Sequence, residues 1–227
     1  MVSSEEPKLT VSTIALLGAF VATSPAQAAL VQNVSLLDLV NSGTVAGSTG
    51  TLTRTATGIA STVSTSNLSP GAAYTMWWVI FNNPEFCVGG CGEDDFPNLA
   101  VNASAFFADG EVIGLNGLGN FSAQVGIGQL PNPNQVLFGN GLFNPLTAEV
   151  WNVVRDHGPV SSDPALLQAQ LTTFNGGCTL TPGDGLFPCR DEQLAVFSTP
   201  VPEPSVSVGL VVLGTLGILS RFQRSKN

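Results

Sequence analysis

Apolar and polar residues alternate over short distances along most of this chain, and the alternation predicts strands. Residues 50–63 set Leu52, Ile59 and Val63 among threonines and serines, a composition that favours exposed strands over helix. Leu68-Ser69-Pro70-Gly71 is a turn signal. Residues 74–81 (Y-T-M-W-W-V-I-F) carry apolar side chains on both parities, which predicts a central strand buried on both faces. Trp77 and Trp78 are then expected to pack into the core on opposite faces rather than form a sugar-stacking platform. Residues 103–108 and 111–115 predict two strands around a two-residue hairpin turn at Asp109-Gly110. Residues 148–155 and 193–197 predict two more. Residues 82–98 form a loop, punctuated by Pro84 and Pro97. A single short helix is predicted over 165–171, with Asp163 as its N-cap and Pro164 at its first position. Gly117, Gly119, Gly126 and Gly128 are expected to mark bulges, edges and turns. No strand and helix frame them as a phosphate cradle requires. The fold class expected is all-β: an antiparallel β-sandwich of about seven to nine strands with one short helix.

Two apolar stretches fall outside that pattern, one at each end. Residues 9–22 are apolar and small, and Ser24-Pro25-Ala26-Gln27-Ala28 follows. The A-x-A ending predicts a signal peptide over 1–28, a helical leader cut between Ala28 and Ala29. Its start is unusual, because Glu5 and Glu6 outweigh Lys8. At the other end Val201-Pro202-Glu203-Pro204 precedes an apolar run over 206–219, and Arg221, Arg224 and Lys226 close the chain. The two prolines hold the backbone extended. As a helix the run is roughly 21 Å long at ~1.5 Å per residue. Widened to about 205–222 it reaches roughly 27 Å, against a bilayer core of ~30 Å. This predicts a marginal transmembrane helix, with arginines at the interface and a cytoplasmic end.

Pro202-Glu203-Pro204, the apolar run and the basic end, in that order at the C-terminus, resemble the PEP-CTERM sorting signal of bacterial surface proteins. The resemblance covers 201–227. It implies recognition of Pro202, Glu203 and Pro204 by an exosortase, a membrane protease-transpeptidase, and so a temporary membrane hold. The expected organisation is a signal peptide (1–28), an exported β-sandwich domain (29–199) and a sorting signal (200–227). The expected location is the cell surface or extracellular matrix.

Charge sharpens this picture. The chain carries a net charge of −9, with seven basic residues in all. Only Arg54, Arg155 and Arg190 of these lie between the two ends, which leaves the exported domain lysine-free and strongly acidic. Such a surface repels nucleic acid and anionic lipid and attracts cations, so no nucleic-acid partner is expected. Four cysteines fall as two local pairs. An oxidising compartment favours the disulfides Cys87–Cys91 and Cys178–Cys189. A four-thiolate zinc site is the rival, but spacings of C-x3-C and C-x10-C do not match a zinc ribbon.

Candidate chemistry is sparse. His157 is the only histidine, without a G-x-S-x-G elbow or a second histidine to support a triad or a metal site. It is expected at a strand end, hydrogen-bonded locally. Glu93, Asp94 and Asp95 form the densest acidic cluster. With loop carbonyls they are a candidate calcium site, although the spacing is not that of an EF-hand and a solvated acidic loop is the plainer reading. The body also resembles a family of bacterial exported domains with no assigned function. That likeness rests on Trp77-Trp78-x-Ile80-Phe81-Asn82-Asn83-Pro84, Gly117-x-Gly119-Asn120-Phe121 and Val153-Val154-Arg155-x-His157-Gly158-Pro159. It brings no catalytic residues. A looser likeness to chordin-type β-sandwich domains rests on the turns at 68–71 and 157–159. The chain is therefore expected to be no enzyme but a structural or adhesive protein of the exopolysaccharide matrix, without a cofactor. The alternative is a carbohydrate- or calcium-binding surface module, with a secreted hydrolase behind it. Expected partners are signal peptidase, an exosortase-type enzyme, the membrane through the C-terminal helix, and exopolysaccharide.

Overall fold

A computed structural model describes residues 29–178 and 188–200. The expected signal peptide, the Pro202-Glu203-Pro204 segment and the transmembrane helix lie outside the described residues. Ten strands and one helix follow in chain order: β1 (Leu30–Val34), β2 (Leu37–Asp38), β3 (Thr49–Thr55), β4 (Gly58–Thr65), β5 (Ala72–Phe81), β6 (Ala103–Val112), β7 (Gly119–Gly126), β8 (Val136–Phe138), β9 (Glu149–Pro159), α1 (Pro164–Thr172) and β10 (Arg190–Phe197). They form two antiparallel sheets, ordered β1-β3-β4-β7 and β2-β10-β9-β5-β6-β8. Leu52, Ile59, Val63 and Phe121 of the smaller sheet pack against Met76, Trp78, Ile80, Val150 and Phe197 of the larger one. The described residues form an all-β sandwich with a single α-helix.

Strand β5 is the spine of the larger sheet, and all ten of its residues are buried. Its even-numbered side chains enter the core between the sheets, as Trp78 does. The outer face would be open in a bare sandwich. Here two covers close it. At one end Val79, Phe81, Val101 and Ala103 lie beneath the 82–101 loop, with Cys87, Cys91, Phe96 and Trp151 packed on them. At the other end Trp77 meets Phe107 and Phe174 edge-on, at 5.8 and 5.2 Å between ring centroids. The apolar run on both parities thus reflects the sandwich core on one side and, on the other, a smaller core under the 82–101 loop and the ring contacts of Trp77.

The hairpin expected at Asp109-Gly110 is not there. Strand β6 runs through both residues, and a bulge opposite Met76 and Trp77 adjusts its register to β5. The glycine has another purpose: a Cβ at Gly110 would stand 2.1 Å from the Leu171 carbonyl oxygen, near the end of α1. Asp109 accepts the Ser122 backbone N–H at 2.8 Å instead of shaping a turn. A Gly110→Ala substitution is therefore expected to push α1 off the sheet and cost about 2 kcal/mol or more. Gly92→Ala, with nothing within 4 Å of its Cβ position, is the neutral control in the same urea titration.

Residues 50–63 also differ from expectation in one respect. They fold as the β3-β4 hairpin, and one face of it is buried, with Leu52, Arg54, Ile59, Ser61 and Val63 all facing inward. The glycine-rich stretch that follows contains a true strand, β7. The helix start is as expected. Pro164 opens α1, and the Asp163 carboxylate accepts from Ala165 N at 2.8 Å and Leu166 N at 3.5 Å.

Candidate functional site

Strands β5 and β9 pair Thr75 with Arg155, which places Thr75, Trp77, Arg155 and His157 together on the outer face, beneath α1 and residues 173–178. His157 is fully buried. Its Nδ1 lies 2.8 Å from the Gly176 carbonyl oxygen. A carbonyl only accepts, so Nδ1 carries the ring proton. Nε2, 2.8 Å from Thr75 Oγ1, is left to accept the Thr75 hydroxyl, whose oxygen accepts Trp77 Nε1–H at 2.8 Å. A directed chain therefore runs from Trp77 through Thr75 and His157 to Gly176. The Cys178 and Cys189 sulfurs lie 3.7 and 3.6 Å from the same Nδ1. Beside them Arg155 donates to Phe174 O at 2.9 Å, pairs with Asp191 at 2.6 Å and lies 3.8 Å from the centre of the Phe174 ring. Gln170 donates to the His157 and Pro159 carbonyls at 3.2 and 3.0 Å, fixing α1 over the site.

Burial holds the His157 imidazole below its ordinary pKa. The Gly176 carbonyl opposes this, while Arg155 adds to the lowering and Asp191 counters it. A histidine depressed in the folded state contributes stability that is complete above about pH 6.5 and is lost as pH falls through the folded value. Asp156 is displaced the other way. Burial raises its pKa, Gly158 N–H opposes, and the Glu192 carboxylate adds to the rise. Its burial penalty is present at neutral pH and relieved by acid. Asp156→Asn is thus expected to raise the melting temperature at pH 7, by a margin that shrinks toward pH 4. Below pH 6.5 the wild-type melting temperature should fall, because the unfolded chain takes up a proton that folded His157 resists. Melts from pH 4 to 8 check both slopes.

A second polar group sits where Asp156 faces inward. Tyr74 donates its hydroxyl to Glu192 at 2.8 Å and accepts Ser69 N–H at 3.1 Å. Arg190 forks onto Glu192 at 2.9 and 2.6 Å. A cleft of about 310 Å³ opens beside them, lined by Asp38, Asn67, Arg190 and Glu192 among others. All three basic residues of the described domain are thus engaged, since Arg54 is buried among carbonyls.

The sequence-derived candidates separate as follows. Cys87 pairs with Cys91 and Cys178 with Cys189, at Cα separations of 5.0 and 5.2 Å. Glu93, Asp94 and Asp95 make a 3-10 turn in which Asp95 accepts Gly92 N–H at 2.9 Å while Glu93 and Asp94 face solvent. Among the described residues, the one set of three His, Cys or carboxylate ligand atoms drawn within 4.8 Å is His157, Cys178 and Cys189. Trp77 and Trp78 are 1% exposed and offer no open ring, while half-buried Trp151 packs edge-on against Phe81 and donates to Glu149 at 2.8 Å. Ala29 precedes β1 and is exposed. Ala28, Pro202, Glu203 and Pro204 lie outside the described residues. No helix among the described residues is long and apolar enough to cross a membrane.

The outer face of the smaller sheet is different in kind. Cross-strand pairing aligns Asn33, Thr51, Thr62 and Ser122 in one row and Val31, Thr53, Ala60 and Gln124 in the next. No charged side chain stands in either row. Two shallow grooves of about 320 and 360 Å³ run over Thr53, Ala60 and Gln124. Comparison of the chain with protein-family models, with curated proteins and with solved structures finds no match in any of the three.

Proposed function

We propose that this chain is an exported protein of the cell surface or extracellular polysaccharide matrix, delivered by a PEP-CTERM-type signal and serving there as a structural or adhesive component. The carrying observation is the order of Pro202-Glu203-Pro204, the apolar run and the basic end at the C-terminus. The two disulfides support it, because such bonds persist in oxidising compartments. The non-enzymatic reading rests on His157. Thr75 and His157 stand at hydroxyl–imidazole bonding distance, but both are fully buried. Nδ1 faces a carbonyl and a disulfide where a triad would place a carboxylate. The test replaces Pro202, Glu203 and Pro204 with alanine in the native host. Wild type should reach the surface as a shortened species while the variant accumulates full-length in the membrane fraction. Identical processing of both would refute the sorting role.

The uncharged face of the smaller sheet favours a second reading, a surface module for a neutral polysaccharide. Hydroxyl and amide groups in rows, on a chain of net charge −9, suit a polymer of neutral sugars and disfavour an anionic one. Thr53→Glu with Thr62→Glu should abolish retention on neutral glycan columns while leaving the melting temperature within a few degrees. Retention of both proteins alike, or of neither, removes this reading. The exposed Glu93 and Asp94 carboxylates give calcium no comparable support, and EDTA is expected to leave the melting temperature unchanged.

A further inference from the structure

We propose that His157, Cys178 and Cys189 form a thiol-gated site for a thiophilic divalent metal such as zinc, closed as the disulfide and opened by reduction. Three chain segments supply the ligands: the end of β9, the residues after α1, and the residue before β10. The geometry carries the proposal. A tetrahedral zinc ion with bonds of ~2.3 Å to sulfur and ~2.0 Å to nitrogen sets N···S edges of roughly 3.6 Å and S···S edges of roughly 3.8 Å. Nδ1 already stands 3.7 and 3.6 Å from the two sulfurs. Two of the three edges exist, and the third is the one the disulfide closes. A dithiol delivers two electrons and two protons, leaving Cys178 and Cys189 as thiols and itself as a disulfide. Metal binding then releases those two protons, one from each sulfur.

The surroundings suit the open form. With Nδ1 on the metal, the ring proton moves to Nε2, and the Thr75 hydroxyl, which donates to Nε2 in the closed form, turns its hydrogen away so that Oγ1, 2.8 Å distant, accepts and holds the ring. The Gly176 carbonyl, released from Nδ1, is 3.7 Å from Cys178 Sγ and leaves the fourth position to itself or to water. A dication with two thiolates and a neutral imidazole has no net charge, so a buried site tolerates it. Cys87 and Cys91 belong to the other cover of the sheet, which separates this site from a four-thiolate one. The proposal does not depend on the delivery route. Its failure would leave the sorting reading intact, and the converse also holds.

The experiment uses the full chain carrying Cys87→Ser and Cys91→Ser, reduced with a phosphine, which takes the oxygen of one water as the two thiols form. Cobalt(II) is the probe. The reduced protein should bind one cobalt per chain with a thiolate charge-transfer band and tetrahedral visible bands, displaced by zinc, and the oxidised protein none. His157→Gln should weaken binding at least tenfold. Because that variant risks misfolding, nitrogen-15 NMR of the single histidine in the unmutated ring gives an independent readout, with zinc moving the proton from Nδ1 to Nε2. A reduced chain that takes up no cobalt, binding that survives Cys178→Ser with Cys189→Ser, or an imidazole unmoved by zinc would each overturn the proposal.

Discussion

Replacing Cys178 and Cys189 together with alanine should destabilise the domain by about 3 kcal/mol or more, as read from urea midpoints. The bridge joins residues 11 apart. A loop of that size constrains the unfolded chain by close to 3 kcal/mol in the chain-entropy model. The bridge also anchors the segment that carries Phe174 and Gly176, the partners of Arg155 and His157. Losing it loosens residues 173–178 over Trp77, while Gln170 still ties α1 to the sheet. The Cys87–Cys91 bridge spans only four residues, so its removal should cost less, about 2 kcal/mol. Equal losses, or a larger loss at Cys87 and Cys91, would show that the α1 cover does not depend on its staple.

The second large effect is expected at Arg54. This side chain is fully buried, yet its guanidinium donates to Gln32 Oε1 at 2.7 Å, Pro145 O at 2.9 Å, Ala148 O at 2.8 Å and Phe197 O at 3.2 Å. It ties β3 of one sheet to the residues before β9 and the end of β10 in the other. Burial pushes its pKa down to about 10, and the Glu149 carboxylate partly restores it. A base depressed in the folded state is penalised at neutral pH, and that penalty is relieved only above pH 10. The residue therefore stays charged near pH 7 and adds no pH dependence there. Arg54→Ala strands the four acceptors and leaves a cavity, at a cost of about 3–5 kcal/mol. Arg54→Met fills the volume without a charge and should cost less than alanine. Arg54→Lys should recover little, since a single ammonium cannot reproduce the fork. Urea titrations of the three variants give the order. Phe197 lies just before the C-terminal segment, so the same arginine fixes where the chain leaves the domain.

These two sites mark the boundary of what the sequence discloses. Residues 74–81 were readable because burial on both faces writes apolar residues on both parities. The Asp163-Pro164 helix start and the two disulfides were readable because their partners are close in sequence. Arg54 was not, because T-L-T-R-T reads as an exposed strand and its carbonyl partners lie 91 to 143 residues away. His157 was expected to bond locally, but Thr75 is 82 residues away and Cys189 is 32. Asp109-Gly110 carried a turn signal because glycine has several uses. Its actual use, admitting the Leu171 carbonyl, depends on a helix that docks only in the folded chain. The uncharged face was half legible. The threonines and serines over 50–63 announce exposed strands, while the buried second face and the rows appear only when β1, β4 and β7 align beside β3.

The central claim is delivery and processing of a disulfide-stapled domain, and intact-mass spectrometry of the protein isolated from its native host tests it most directly. The mature chain should start at Ala29, lack the apolar and basic tail beyond Pro202-Glu203-Pro204, and carry both cystines. A mature chain still ending at Asn227, with free thiols, would contradict it.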